Sequence, residues 1–91
     1  MSVTVRIPTP LRKLTNNEDV VAGEGETLLA CIESLEQRYP GLRERLLDEE
    51  GEIRRFVNVY VNGEDVRFQQ GTDTPLNTGD EVSIVPAVAG G

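Results

Sequence analysis

One apolar stripe governs what this chain can become. From Thr27 onward Leu28, Cys31, Ile32, Leu35 and Tyr39 recur at i, i+3, i+4, i+7 and i+11, with Glu33, Glu36 and Gln37 between them. That spacing puts the apolar side chains on one face of an α-helix and the polar ones on the other. Thr27 is placed to cap the helix, Glu26 suits its positive end, and Pro40-Gly41 stops it. A lone amphipathic helix must bury its stripe against another layer. What flanks it on both sides reads as strand.

Before the helix, Val3, Val5 and Ile7 alternate with Ser2, Thr4 and Arg6, until Pro8 and Pro10 end the ladder. Thr15-Asn16-Asn17 is turn chemistry, and Val20 to Ala22 forms a short second strand closed by Gly23 and Gly25. These two strands imply a hairpin. After the helix, Arg43 to Leu47 adds a helical turn and Asp48 to Glu52 a charged loop. Phe56 to Val61 is rich in β-formers, and Asn62-Gly63 supplies the positive φ angles of a tight turn before Asp65 to Phe68 returns. Gly71 to Asp80 is turn-rich, and Glu81 to Val85 alternates again, with Val82, Ile84 and Val85 apolar. The order is β-β-α-β-β-β, an α+β arrangement in which a mixed sheet carries its one main helix across one face.

Composition narrows the function classes. Nine basic against sixteen acidic residues leave a net charge of −7, which argues against a nucleic-acid partner, because affinity for phosphate backbones needs clustered Lys and Arg. One cysteine forms no internal disulfide and, with no histidine in the chain, leaves no credible zinc site. The opening Met1–Ser2–Val3–Thr4 lacks a targeting pattern, and no stretch approaches the ~20 apolar residues of a membrane span, so a cytoplasmic setting is expected. With 91 residues there is one small, mainly aliphatic core.

Catalytic candidates within the chain are few. Ser2, Ser34 and Ser83 have no evident base partner, and Cys31 lies inside the helix's apolar stripe, where core filling is the plain reading. The acidic run Asp48 to Glu52 lacks the alternating ligands of an EF-hand and reads as a solvated loop. Arg6, Arg12 and Lys13 are a weak anion-site candidate that serve equally well as solvating charges.

The carboxyl end is different. Residues 82–91, Val-Ser-Ile-Val-Pro-Ala-Val-Ala-Gly-Gly, contain no charge in a chain that is 27% charged. Pro86 holds Val85 extended, and the five residues after it reach at most about 16–18 Å. The expected division is therefore a domain over 1–86 and a flexible Gly-Gly tail over 87–91. Ala87, Val88, Ala89 and Gly90 are slim enough to thread a narrow channel, with Pro86 at its base, and would present the Gly91 carboxylate inside another protein's active site. The bland alternative is a frayed end with two chance glycines. A carboxylate is a poor electrophile, so a partner would first have to convert it to an acyl-adenylate with ATP.

The whole chain resembles the ubiquitin-like β-grasp sulfur carriers, the family of ThiS, MoaD and the cysteine-biosynthesis carrier CysO. The resemblance rests on Val3-Thr4-Val5-Arg6-Ile7-Pro8, the helix ending Tyr39-Pro40-Gly41-Leu42, the hairpin Phe56 to Phe68, and Gly79-Asp80-Glu81-Val82-Ser83-Ile84-Val85-Pro86-Ala87-Val88-Ala89-Gly90-Gly91. It implies a β-grasp fold and a carrier that is not itself an enzyme and binds no cofactor. An E1-like adenylyltransferase of the MoeB/ThiF type would use ATP to activate Gly91. A sulfur donor would then replace AMP to leave a thiocarboxylate.

The segment Arg43 to Arg55, the hairpin Asn58 to Phe68 and the Pro-Ala-Val-Ala-Gly-Gly ending look closer to the CysO type, which implies delivery of sulfur to a pyridoxal-phosphate (PLP) cysteine synthase. The alternative is a MoaD-like small subunit acting with the molybdopterin synthase large subunit, and the third reading is a ubiquitin-like protein modifier. A noncovalent binding module with an incidental tail completes the set. The net charge of −7 adds one expectation, that the carrier's body favours a positively charged entrance on its partner.

Overall fold

The computed structural model describes residues 2–86. Five strands, β1 (Ser2–Arg6), β2 (Val20–Glu24), β3 (Val57–Val61), β4 (Glu64–Asp65) and β5 (Glu81–Pro86), form one mixed sheet in the order β2-β1-β5-β3-β4. β1 runs parallel to β5, and the other neighbours are antiparallel. Pairing of Val5 with both Val21 and Val82, and of Val82 with Val61, draws one inward-facing row of valines across four strands. A one-residue slip would turn that row to solvent, so the alternation in the sequence also sets the register.

Helix α1 (Leu28–Arg38) lies over this face and buries Leu28, Cys31, Ile32 and Leu35 against it, as the stripe requires. The Thr27 hydroxyl accepts from the Ala30 amide at 3.2 Å and caps its start. Its polar side also closes the sheet's edge: Ser34 Oγ accepts from the Glu24 amide, and the Arg38 guanidinium donates to the Ala22 carbonyl. An unprotected edge strand invites pairing with other chains, so these two contacts bear on solubility.

The expected turn at Arg43 to Leu47 is helix α2 (Leu42–Leu46), which buries Leu42 and Leu46. Glu36, in the last turn of α1, reaches forward to accept from the amides of Gly41 and Arg43 at 3.0 and 2.8 Å and so caps α2 from a distance.

The β1–β2 hairpin is as expected, the two strands pairing antiparallel, with a 3-10 helix over Thr9–Thr15 in its link and the buried Thr15 hydroxyl donating to the Glu18 carbonyl at 2.9 Å. Two local expectations change. β2 continues through Gly23 to Glu24, because Gly23 pairs with Val3 across the sheet. The strand expected over Asp65 to Phe68 is only Glu64–Asp65; Val66–Phe68 coils into a 3-10 turn that Asp65 caps at the Arg67 amide, and this drives Val66 into the core. Between β3 and β4 the turn is as expected, with Asn62 at φ 52° and Gly63 at φ 87°.

Candidate functional site

The carboxyl-terminal segment leaves from β5, which is flanked on both sides, by β1 in parallel and by β3 antiparallel. Val82 and Ile84 are buried beneath α1, so the strand is held by packing as well as by two ladders. Pro86, the one tail-recognition candidate among the described residues, ends the strand opposite Val57 and is half-buried. Ala87, Val88, Ala89, Gly90 and Gly91 lie outside the described residues.

One polar network fixes the start of β5, and a second fixes the neighbouring β3 where the end of β5 pairs with it. At the start, Asp80 accepts from the Asn77 amide at 2.8 Å and from Asn62 Nδ2 at 3.0 Å, while Asn62 Oδ1 accepts from the Glu81 amide at 2.9 Å. The Asn77 amide and then the Asn62 side chain hold the Asp80 carboxyl below its ordinary range, since both stabilise the charged form. The Gly79-Asp80 element of the terminal motif is thus a clasp that joins the β3–β4 turn to the start of β5. Arg6 Nε donates to Glu81 Oε2 at 2.9 Å on the open face of the sheet.

At the other end, the Arg67 guanidinium donates to the Val57 carbonyl at 2.6 Å, the Arg54 carbonyl at 2.8 Å and Asn58 Oδ1 at 2.7 Å. Val57 and Asn58 are the residues that pair with Pro86 and Val85. One side chain therefore ties down the strand on which the tail's base rests. Sequence reading passed over Arg67; the available signal was an arginine beside a β-turn, which is too common to single out.

The remaining candidates do not form sites. Cys31 has 0% exposure, and burial pushes its thiol up to about 11 against the opposing charge of Arg38, so it is neither accessible nor ionised near neutrality. In the acidic loop, Asp48 Oδ1 accepts from the amides of Glu50 and Glu52 at 2.9 and 3.0 Å, which makes it the organiser of a turn. Arg6 is engaged by Glu81, and Arg12 Nε donates to the Ile7 carbonyl at 3.1 Å. An open depression of about 480 Å³ lies between Glu36, Arg43, Leu47, Asp48 and Arg54, with charges of both signs on its walls.

Residues 5–91 match the model of the ThiS family. The sulfur carrier protein CysO of Mycobacterium tuberculosis is 53% identical over the full length of both chains. A putative sulfur carrier protein of Archaeoglobus fulgidus is 38% identical, again over all of both. Among solved structures, a chain of the Amycolatopsis orientalis BexX/CysO complex superposes with a TM-score of 0.93 at 49% identity, covering 98% of this chain and 99% of that one. The five-stranded sheet with α1 across it is therefore the β-grasp arrangement expected from the sequence.

Proposed function

The chain belongs to the ThiS family, and from that premise we propose that it is a sulfur carrier of the CysO type whose working group is the carboxyl terminus at Gly91. The observation that carries the reading is the charge-free segment 82–91, which ends in Gly90-Gly91 and issues from a strand held on both sides. A strand held on both sides, followed by a slim, neutral lead, gives the terminal carboxylate a reach of at most about 16–18 Å beyond the folded body. That is the geometry an enclosed active site in another protein demands.

In this reading the Gly91 carboxylate attacks the α-phosphorus of ATP on an E1-like adenylyltransferase of the MoeB/ThiF type, pyrophosphate leaves, and a sulfur donor then displaces AMP. The resulting thiocarboxylate is a nucleophile that stays attached to a protein and does not diffuse. The sulfur adds to an aminoacrylate on a PLP-dependent cysteine synthase, which leaves a cysteinyl adduct at Gly91 for a peptidase to release. The carrier performs none of these steps: its thiol is buried and its tail supplies only the acyl group. ATP and the pyridoxal cofactor belong to the partners. Residues 87–91 are the part that enters them, and the setting is cytoplasmic, consistent with a single, unpaired and buried cysteine.

Intact-mass analysis of the protein from its own host, under nonoxidising conditions, tests this. A fraction heavier by the difference between sulfur and oxygen at the terminus is expected. A plain carboxylate that persists after incubation with ATP, the adenylyltransferase and a sulfur source overturns it. Sulfur transfer to a molybdopterin precursor with a large-subunit partner, in place of the aminoacrylate, would move the assignment to the MoaD type.

A further inference from the structure

The pair Asn62-Gly63 does more than turn the chain. It is the only Asn-Gly step in the sequence, and in such a step the second amide, unshielded by a Cβ, neighbours a side-chain carboxamide that it is able to attack. Both residues are exposed to water here, and a Cβ placed on Gly63 would meet nothing within 4 Å. The parts of an intramolecular acyl transfer are therefore present: a nitrogen nucleophile, an amide carbon on the preceding residue, and water.

The folded chain holds them apart. Asn62 Nδ2 donates to Asp80 Oδ1 at 3.0 Å and Asn62 Oδ1 accepts from the Glu81 amide at 2.9 Å, so both ends of the carboxamide are fastened at the start of β5. Asp80 is itself fixed, since its other oxygen accepts from the Asn77 amide at 2.8 Å. Closing a ring onto Gly63 means turning the carboxamide away from Asp80 and Glu81, which releases both bonds. Only a carboxamide fills this place. It donates to one partner and accepts from the other, whereas a carboxylate only accepts, and glycine, equally suited to the φ of 52°, does neither. The residue that fastens β5 is thus the one most open to chemistry whenever the turn opens locally.

We propose that Asn62 is a self-modification site gated by Asp80: opening of the β3–β4 turn frees its carboxamide to deamidate, and the product no longer fastens β5. In that step the Gly63 nitrogen gives its proton to solvent and bonds to Asn62 Cγ. The Cγ–Nδ2 bond breaks, and Nδ2 takes a proton from solvent and leaves as ammonia. Water then opens the succinimide at either carbonyl, which gives aspartate or an isoaspartyl linkage at position 62. Either product presents a carboxylate in place of the carboxamide. A second carboxylate where Asp80 now receives a hydrogen bond of 3.0 Å meets repulsion. The modification loosens the strand that leads to the carboxyl terminus and marks aged chains, whichever acceptor that terminus serves.

Peptide mapping by mass of the full-length chain, incubated in mildly alkaline buffer, reads the exchange of ammonia for water at Asn62, with Asn16, Asn17, Asn58 and Asn77 as internal references. The folded wild type should react at least tenfold more slowly than the same chain unfolded in urea. Asp80→Ala, checked as folded by circular dichroism, should react at least tenfold faster than folded wild type. Melting curves give a second measurement. Asn62→Asp should lower the melting temperature by about 4 °C or more, and adding Asp80→Asn should restore most of the loss, because amide and carboxylate then exchange places across the same bond. Equal rates in folded and unfolded wild type, or an unaltered rate in folded Asp80→Ala, overturn the gate. An Asn62→Asp chain as stable as wild type, or no recovery in the double variant, overturns the effect on β5. Should Asp80→Ala not fold, the comparison in urea and the melting curves decide by these same outcomes.

Discussion

Gly23 in β2 faces Cys31 in α1 so closely that a Cβ on the glycine would sit 2.6 Å from Sγ and 3.1 Å from Val5 Cγ2. The glycine is what lets the helix settle onto the sheet at that point. Gly23→Ala should cost about 1–3 kcal/mol, the usual penalty of overpacking. Cys31→Ala in the same chain removes the clashing sulfur, so the double variant should be more stable than the sum of the single losses. Chemical denaturation of the four members of this cycle measures the coupling; simple additivity would show that the close approach does not govern the packing.

Acid should weaken the fold at two carboxylates. Amides of Arg43 and then Gly41 hold the Glu36 carboxyl below its ordinary range, and the Asn77 amide and then the Asn62 side chain do the same for Asp80. Both folded values are depressed, so each group's contribution is complete above its unfolded value and is lost as pH falls through the folded one. Melting temperature should therefore decline as pH drops below about 4.5, and Glu36→Gln should flatten the upper part of that decline. An unchanged acid profile in the variant would mean that Glu36 does not anchor the start of α2.

The length of the tail should be critical to chemistry and irrelevant to folding. Adding one residue after Gly91, or deleting Gly91, moves the carboxyl away from the reacting position and should reduce adenylation at least a hundredfold, with circular dichroism and melting unchanged. A bulky replacement of Gly90 should act in the same way by blocking the channel. Efficient adenylation of the extended chain would contradict a tail that places its terminus by reach.

Carrier and modifier differ in where the acyl group ends. If sulfur passes to a small molecule held by another enzyme, few Gly91-dependent protein conjugates should accumulate in the host. Immunoblots of cells expressing wild type and a Gly91-deleted chain compare the two outcomes. An abundant ladder confined to wild type would favour the modifier.

What the sequence alone determined is what depends on local periodicity and turn chemistry. The stripe from Leu28 to Leu35, the alternation around Val3 and Val5, the Asn62-Gly63 turn and the charge-free terminus at Gly91 can each be read from neighbours within a few residues, because backbone geometry repeats on that scale. The core role of Cys31 followed from the same stripe, and the structure places it there. Only the tertiary structure decided what depends on residues far apart along the chain. It seated β5 between β1 and β3, shortened β4 so that Val66 could be buried, and turned Arg67 back onto Val57. Strand order and such long-range contacts arise from packing between segments, which no local stretch of sequence records.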